Sequence, residues 1–401
     1  MKKIIIDASE GLVRTALTEN GRLIEILIDR TDAMSVAGNI YVGAVKAILP
    51  NQFAFVDVGL TKNAFLSLAD KREKKIAPVL KRGMELPVQV IKDPSGDKGA
   101  YLTSELSLSG RYAVLMMSGA PGAAVSVSKK IADPRERARL VTVFEAGLTE
   151  GRGAIVRTGA AGANAEAIIE ELNELAARMV AVERDGLYKK APAIIHGEGP
   201  AVLRHLRELS VRDASEIVVN SEIEAEIIRG MPGAPYGAVT VYGGDEPLFA
   251  KYSIDRALAP ALERKVWLRS GGFLIIDQTE GGFVIDVNSG KFAGVSGHGR
   301  SVLETDLEAV DEIAYQIRLR NLSGMIIIDF IGVKTDERAL IHARLKDALA
   351  KDRIPASVLD ASVLGLFVLT RKRAREPLSG ALQKKCECCG GSGKINIFFD
   401  A

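Results

Sequence analysis

The sequence contains little histidine and little cysteine. Its 401 residues include four histidines, which are scattered, and three cysteines, all between positions 386 and 389. Isolated histidines do not indicate a catalytic histidine. Three cysteines so close together are not the disulfide framework of a secreted protein, and such a cluster indicates metal or redox chemistry instead.

The sequence also lacks a charge imbalance and a long apolar run. Lys plus Arg number 53 against 51 for Asp plus Glu, so any basic surface must be local. No apolar run could span a membrane, and the N-terminus MKKIIIDASEG lacks the apolar core and cleavage site of a signal peptide. These absences predict a cytoplasmic protein. With 47% hydrophobic residues, the chain is predicted to be globular with two or more subdomains.

Three short apolar runs end in an aspartate, namely Asp277, Asp286 and Asp329. Such β-branched runs predict buried strands. Carboxylates at the rim of a sheet are costly to ionise unless something neutralises them, so acids that converge there predict a divalent cation. Oxygen ligands favour Mg²⁺ or Mn²⁺ over zinc. The alternative is that the acids cap turns or accept backbone amides, but for Asp286 and Asp329 together we favour the metal.

A helix is predicted between Asp286 and Asp329. The pattern Thr305-x-x-Glu308 is a capping box, which is typical of the start of a helix. The apolar positions that share one face of this helix are Leu303, Leu307, Val310, Ala314 and Ile317. Such a helix would join two adjacent strands and bring both aspartates to one edge of a sheet.

Five short segments surround these two aspartates. They read IDVNSG at 285–290, LEA at 307–309, DEIA at 311–314, RLR at 318–320 and IIDFI at 327–331. Together they resemble the catalytic core of the ribonuclease E/G family. The resemblance extends from the first strand to the cysteine cluster and therefore covers nearly the whole chain.

The resemblance implies a Mg²⁺-dependent endoribonuclease that acts on single-stranded RNA in RNA processing and decay. Asp286 and Asp329 match the magnesium ligands of the family, and Asn288 matches a supporting residue near the scissile phosphate. Asp277 matches no ligand and is interpreted as structural. The products would carry a 5′-phosphate and a 3′-hydroxyl, and 5′-monophosphorylated RNA would be preferred. The alternative is a non-catalytic RNA-binding protein that uses an S1 barrel, which the intact Asp286, Asn288 and Asp329 argue against.

The resemblance also implies a multi-subdomain α/β fold. A ribonuclease H-like subdomain would carry an inserted S1 β-barrel of the OB-fold class and a 5′-sensor. A deoxyribonuclease I-like α/β catalytic subdomain and a zinc-link cysteine motif would follow. The expected boundaries are 1–36 and 197–262 for the two parts of the ribonuclease H-like subdomain, 37–107 for the barrel, 108–196 for the 5′-sensor, 263–382 for the catalytic subdomain and 383–401 for the zinc link and C-terminus.

The region after the first 37 residues has short strand-like runs split by Gly, Pro and Asn, which is typical of a small β-barrel. Residues 55–59 (FVDVG) and 63–66 (NAFL) resemble an S1 domain. By this resemblance Phe55 and Phe65 stack on unpaired RNA bases and Lys98 is a basic position on the same surface. The alternative is that one or both phenylalanines belong to the barrel core.

Two basic features are candidates for phosphate contacts. Arg157 and Thr158 end a predicted strand before a loop rich in Gly and Ala, where a guanidinium, a hydroxyl and loop amides could bind a phosphate. By resemblance this pair is the sensor of the RNA 5′-monophosphate, whereas the residues alone would suggest an ordinary surface arginine. The run RKRAR at 371–375 fits contact with the RNA backbone and a solvated cationic face about equally well.

Cys386 and Cys389 form a Cys-x-x-Cys pair. Zinc normally takes four ligands, so one pair is half a site that two chains could complete as a homodimer. The zinc link of the family has this arrangement, and the extra Cys388 leaves open which pair binds. A redox pair is the alternative. Because the sequence stops eight residues after Gly393, neither a small dimerisation domain nor a partner-binding tail of the degradosome type is expected.

Overall fold

A computed structural model describes most of the chain, which divides into two compact units. Unit 1 comprises residue 1, Ile6–Thr15 and Asp29–Tyr242, and unit 2 comprises Lys2–Ile5, Ala16–Ile28 and Gly243–Ala401. The described residues are 1–9, 11–30, 35–49, 53–67, 80–94, 98–117, 125–149, 151–209, 214–230, 239–290, 298–334, 337–359, 365–384 and 386–389, without the side chains of 298–301. No helix among these residues is both long and apolar enough to cross a membrane.

Among the described residues, the elements up to residue 127 are all strands, and helices and strands are mixed after that. The strands are β1 (Lys2–Ser9), β2 (Leu12–Glu19), β3 (Arg22–Arg30), β4 (Ile40–Leu49), β5 (Phe53–Asp57), β6 (Ala64–Ser67), β7 (Glu85–Lys92), β8 (Tyr101–Thr103), β9 (Ser107–Ser109), β10 (Ala113–Met116), β11 (Val125–Val127), β12 (Gly153–Val156), β13 (Ala193–His196), β14 (Ala214–Val219), β15 (Val239–Val241), β16 (Lys265–Trp267), β17 (Phe273–Gln278), β18 (Gly282–Asn288), β19 (Gly324–Asp329), β20 (Ala356–Val358) and β21 (Phe367–Arg371). The helices are α1 (Pro134–Gly147), α2 (Ala165–Tyr188), α3 (Ala201–Leu209), α4 (Glu222–Arg229), α5 (Leu248–Lys251), α6 (Ile254–Ala261), α7 (His298–Leu319), α8 (Arg338–Ala350) and α9 (Leu378–Leu382), and a 3₁₀ turn covers Thr158–Ala160.

A five-stranded sheet has the order β15-β14-β1-β2-β3. The strands β1, β2 and β3 are each divided between the two units. Between β2 and β3 the chain turns on Asn20 and Gly21, whose φ angles are 51° and 78°. Both residues favour the left-handed region that a two-residue hairpin requires. The sheet thus joins strands that are far apart in the sequence.

The predicted β-barrel is present in unit 1. Its strands follow the order β4-β5-β6-β8-β7, and β7 pairs again with β4 and closes the barrel. The additional strand β13 pairs with the first residues of β4, Ile40 to Val42. Alternate residues of the strands fill the interior, because successive side chains of a strand point to opposite faces. The fully buried interior positions on β5 and β6 are Ala54, Val56, Ala64 and Leu66.

Unit 1 also contains a four-stranded sheet in the order β11-β12-β10-β9, which packs against α1 and α2. The sequence predicts an apolar stripe on α2, and the helix buries Ile168, Leu172, Leu175 and Met179. They share one core with Leu140 and Phe144 of α1. This core holds the loop after β12 in place.

The six-stranded sheet of unit 2 positions the candidate catalytic residues. Its order is β16-β17-β18-β19-β21-β20, and β18 and β19 are parallel neighbours joined through α7. One face of the sheet packs against α7 and α8 through a core that includes Leu274, Ile285, Ile328 and Ile313. The predicted β-α-β connection is therefore confirmed, and the opposite face of the sheet carries the exposed Asp286 and Asp329.

The predicted capping box is wrong. Thr305 and Glu308 lie inside α7, which begins at His298, so they cannot cap its start. The Glu308 carboxylate instead accepts the backbone N–H groups of Arg269 and Ser270, at 2.7 and 3.1 Å. Glu308 thus contacts a distant segment rather than the start of its own helix. This contact fixes the turn that precedes β17.

Candidate active site and RNA-contact surfaces

Two carboxylates meet at neighbouring positions on parallel strands. Asp286 of β18 is the register partner of Asp329 of β19, and both residues are exposed. Adjacent strands lie about 4.8 Å apart, so the two side chains project side by side from the same face of the sheet. Each follows a fully buried isoleucine, Ile285 or Ile328. The two buried isoleucines therefore fix the positions of both aspartates at the edge of the sheet.

Asn288 completes this group. Its Nδ2 atom donates a 2.8 Å hydrogen bond to Oδ2 of Asp286, two residues away on the same face of β18. The bond restricts the rotation of the carboxylate. It leaves the amide oxygen of Asn288 available as a further ligand atom for a cation. The three predicted catalytic residues are thus brought together.

The donor set of this group fits a hard cation. Two carboxylates and one amide oxygen are the ligand types that Mg²⁺ takes, and Mg²⁺ usually keeps several waters in addition. Among the residues that the structure describes, no group of three or more His, Cys, Asp or Glu side chains is arranged to hold a metal. A cation here would depend on Asp286 and Asp329, with waters and substrate oxygens filling the remaining positions.

Asp277 does not belong to this group. Its carboxylate pairs with the Arg264 guanidinium at 2.5 and 2.6 Å, and this partner lowers the pKa of Asp277. The side chains of both residues are well exposed. This supports the structural interpretation of Asp277.

A buried carboxyl group lies beneath the turn that follows Asp329. Asp306 of α7 is 1% exposed, and its Oδ1 atom accepts the backbone N–H of Ile331 at 3.1 Å. Burial raises the pKa of Asp306 to about 7, and the nearby negative charge of Glu337 acts in the same direction. Sequence reasoning missed this residue, because an acid beside a predicted capping box looks like part of an exposed first turn.

Asp306→Asn should gain stability relative to the wild type as the pH rises. The folded state holds a proton on Asp306 up to about pH 7, whereas the unfolded chain loses it near pH 3.8, so wild-type stability falls between these values. Asparagine does not titrate and can still accept the Ile331 amide. We expect the difference in unfolding free energy to shift towards the variant by about 2 kcal/mol between pH 5 and pH 8. Urea unfolding at both pH values measures this, and parallel pH profiles would contradict it.

An aromatic surface lies on the outside of the barrel. Phe55 is 37% exposed and Phe65 is partly exposed, and neither belongs to the barrel core. The alternative interpretation, which placed one or both of them in that core, is therefore wrong. The ring of Phe65 lies 6.1 Å from that of Phe55, 5.1 Å from Phe53 and 5.3 Å from Tyr101. These four rings form a continuous surface on which unpaired bases could stack.

Basic residues lie on the barrel surface as well. Lys98, the predicted basic position, is exposed. Lys92 places its ammonium group 5.8 Å from the ring centre of Tyr101, a contact that sequence reasoning missed. Tyr101 is the register partner of Phe65, and such a cross-strand pairing cannot be recognised before the strand order of the barrel is known.

Arg157 and Thr158 follow β12, as predicted. The Arg157 guanidinium donates to the backbone oxygens of Gly110 and Arg207, the latter at 3.0 Å, so the fold holds it in place. Thr158 is exposed at the start of the 3₁₀ turn. The loop amides were expected to donate to a phosphate, but the amide of Gly162, which lies in this loop, donates to the Glu136 carboxylate at 2.6 Å. The loop amides thus contribute less to the candidate phosphate site than the sequence suggests.

Glu171 of α2 lies against the same region. Its carboxylate accepts the backbone N–H groups of Arg111, Tyr112 and Ala113, at 2.7 to 3.0 Å. Burial raises the pKa of Glu171, and these three bonds together with the charge of Arg157 oppose the rise. Tyr112, the residue before β10, also accepts the Arg157 amide at its carbonyl at 2.8 Å, so Glu171 and the end of β12 both bond to this residue.

The cysteine cluster is described only in part. Cys386 and Cys388 are exposed, Cys389 is partly exposed, and none of these three residues forms a disulfide. Residue 385 and residues 390–401, including the glycines of the zinc-link pattern, lie outside the described residues. The zinc site remains a prediction.

Comparison with known proteins gives one consistent result. The model of the Ribonuclease E/G family matches residues 107–374. The chain is 36% identical to Ribonuclease G of Haemophilus influenzae over 419 residues, and 37% identical to Ribonuclease G of Escherichia coli over 420 residues. Each alignment covers 98% of this chain and 84% of the relative. Ribonuclease E of Escherichia coli is 32% identical over 98% of this chain and 39% of its own length.

Proposed function

Because the chain belongs to the ribonuclease E/G family, we propose that it is a Mg²⁺-dependent endoribonuclease that cuts single-stranded RNA during RNA processing and decay. The observation that carries this proposal is the in-register pair of Asp286 and Asp329, with Asn288 bonded to Asp286. A binding protein without catalysis would have no need for this arrangement. The S1-type RNA-binding alternative is therefore the weaker one.

The residues of the site each have a role in this reaction. Asp286 and Asp329 would hold the cation, and Asn288 would keep the Asp286 carboxylate in one orientation. A bound Mg²⁺ would polarise the scissile phosphate and lower the pKa of a coordinated water. Both carboxylates are exposed, so a phosphodiester can reach them from solvent. With water as the nucleophile, the bond from phosphorus to O3′ breaks, which leaves a 3′-hydroxyl and a 5′-phosphate.

The barrel would supply part of the RNA affinity. Stacking of a base on an aromatic side chain contributes about 1–3 kcal/mol and tolerates any base. The surface of Phe53, Phe55, Phe65 and Tyr101 offers such contacts, and Lys92 and Lys98 place positive charge on the same subdomain. Unpaired bases expose their faces and paired bases do not, so this surface favours single-stranded RNA.

The pair of Arg157 and Thr158 would recognise a 5′-monophosphate. An oligonucleotide that carries a 5′-monophosphate should then be cut about tenfold faster than the same oligonucleotide with a 5′-hydroxyl, because one hydrogen bond to a charged group contributes about 1.5–3 kcal/mol. Replacing Thr158 with valine should remove most of this preference. The rate on the 5′-hydroxyl RNA should not change, since the backbone contacts of Arg157 remain. Cleavage rates of both RNAs, with Mg²⁺ and with EDTA, measure this.

The matched control is Thr142→Val. Thr142 is an exposed threonine on α1, and its hydroxyl donates to the Ala138 carbonyl of the same helix at 3.2 Å. This variant should keep the wild-type preference. Cleavage with no 5′ preference in the wild type would refute the sensor and leave the nuclease intact. Binding of RNA without any Mg²⁺-dependent cleavage would favour the RNA-binding alternative.

The finer subdomain assignments belong to the same proposal. The strands β14 and β15 lie in one sheet with β1–β3, which supports a ribonuclease H-like subdomain in two parts. The sheet of β16–β21 with α7 and α8 would be the deoxyribonuclease I-like catalytic subdomain. Cys386 and Cys389 would bind a structural zinc together with the same pair of a second copy, so that the enzyme would act as a homodimer in the cytoplasm.

A further inference from the structure

An exposed aromatic patch lies on the edge strand β16 and its neighbour β17 in the six-stranded sheet of unit 2. The patch consists of Lys265, Trp267 and Phe273. Trp267 is 65% exposed, and its ring centre lies 5.4 Å from that of Phe273, with an edge contact at 64°. The Lys265 ammonium group lies 3.8 Å and 3.7 Å from the centres of the two rings. The patch therefore combines two aromatic rings with a positive charge at a solvent-exposed position.

The strand register aligns this patch with the catalytic residues. Trp267 is the partner of Phe273, and Phe273 is the partner of Asn288. Residues directly opposite each other on adjacent strands project from the same face of a sheet. Trp267 thus lies on the face that carries Asn288, two strands or about 10 Å away.

A second row of partners runs parallel to the first. It connects Lys265 to Ile275, Ile275 to Asp286, and Asp286 to Asp329. The cation of the patch and the two candidate metal ligands therefore share one row on one face. A nucleic-acid strand with one phosphate at Asp286 and Asp329 extends from there in two directions. One direction along the rows, from β18 across β17 to β16, leads to the patch.

The patch contributes little to the fold itself. The residues of β16 and β17 that enter or pack against the core are Val266, Leu274 and Ile276, which alternate with the patch residues. Trp267 and Phe273 are not part of that core. An exposed tryptophan beside a lysine matches the requirements of single-stranded nucleic acid, since a base stacks on the ring and the cation attracts a phosphate.

We propose that the patch is a binding subsite for one unpaired base of the RNA substrate close to the scissile phosphate, with Lys265 attracting the adjoining phosphate. This inference rests on the proposed endoribonuclease function. The occupant is a base of any identity, because the patch offers ring faces and one positive charge rather than a set of hydrogen bonds to a base edge.

The single tryptophan of the sequence reports on the patch directly. We expect the fluorescence of Trp267 to be quenched when a single-stranded RNA binds to the full-length Asp286→Asn protein, which retains the patch and should not cut. The RNA is a short A/U-rich oligonucleotide, and anisotropy of a terminal label measures its binding independently. A series with one abasic nucleotide at each successive position should lose the quenching only where that nucleotide lies beside the cleavage site.

Kinetics provide the second readout. Trp267→Ala should raise KM about tenfold, within the range that loss of a stacking residue causes, while Trp267→Phe should stay within about twofold. Lys265→Gln should raise KM about threefold and reduce its dependence on salt. The control is Leu340→Ala on α8, which removes a large apolar side chain that is 50% exposed and lies outside the patch.

The outcomes separate this inference from the proposed function. If the wild type cuts RNA while Trp267→Ala cuts it with unchanged KM, the subsite is refuted and the endoribonuclease remains. RNA that binds without quenching would also refute the subsite. If Trp267 fluorescence is quenched with rising protein concentration in the absence of RNA, the occupant of the patch is a second copy of the chain, and the RNA subsite is refuted as well. If the wild type does not cut RNA at all, the proposed function itself fails.

Discussion

Replacing Asp286 with asparagine is expected to lower kcat/KM for RNA cleavage by about a thousandfold or more. Asparagine has a similar shape, but it cannot neutralise a cation, and Asp329 alone would have to hold it. Charge stabilisation by a metal contributes several kcal/mol to a phosphodiester transition state, and about 4 kcal/mol corresponds to a thousandfold change in rate. Initial rates on a single-stranded oligonucleotide at saturating Mg²⁺ measure this effect.

The control for this prediction is Asp277→Asn. Asp277 lies on the adjacent strand β17, and its carboxylate pairs with Arg264 rather than with the catalytic group. The same chemical change there should leave activity within about twofold, because the loss of an exposed ion pair has a small effect. Asp329→Asn should be as severe as Asp286→Asn, and the double variant should be little worse than either single variant, since the two residues act as one unit. An Asp286→Asn protein that keeps a tenth of the activity would contradict the assignment.

Replacing Asp352 with alanine is expected to destabilise unit 2 by about 3–5 kcal/mol, because it leaves a buried arginine without its counter-charge. Arg371 and Asp352 are 3% and 4% exposed, and Nε of Arg371 donates to Oδ2 of Asp352 at 2.7 Å. Arg371 also donates to Asn321 Oδ1 and to the Leu322 carbonyl, at 2.8 and 2.9 Å. Urea unfolding of the variant and the wild type, followed by circular dichroism, measures the difference.

A surface pair provides the matched comparison. Asp311 pairs with Arg344 at 2.6 Å, but both side chains are about half exposed. Asp311→Ala should therefore cost less than about 1 kcal/mol. Replacing both members of the buried pair, as in Arg371→Met with Asp352→Leu, should recover much of the lost stability, because no charge is left buried. Equal effects of Asp352→Ala and Asp311→Ala would contradict this interpretation.

The convergence of Asp286 and Asp329 was predictable from the sequence. Two buried runs that end in acids and a helix between them fit one β-α-β unit, and parallel strands joined in this way bring their ends to the same edge of a sheet. The barrel was predictable from another local pattern, since its short strand-like runs are separated by Gly, Pro and Asn. In both regions the local pattern and the tertiary structure agree.

Other features depend on contacts between distant segments. The run RKRAR looks like a solvated or RNA-binding face, yet its first residue, Arg371, is buried because Asp352 and the Leu322 carbonyl surround it. The interpretation of the whole run as surface is therefore wrong at this position. The position of Trp267 beside Phe273 likewise follows from strand register, which two short segments do not reveal by themselves.

The proposed function requires that Asp286 and Asp329 hold a Mg²⁺ ion for hydrolytic cleavage of single-stranded RNA. The most direct test is the analysis of product ends after digestion of a single-stranded oligonucleotide by the full-length protein, with Mg²⁺ or with EDTA. We expect internal cuts only with Mg²⁺, and fragments with 5′-phosphate and 3′-hydroxyl ends. Cleavage that persists in EDTA, or fragments that end in a 2′,3′-cyclic phosphate, would contradict the claim.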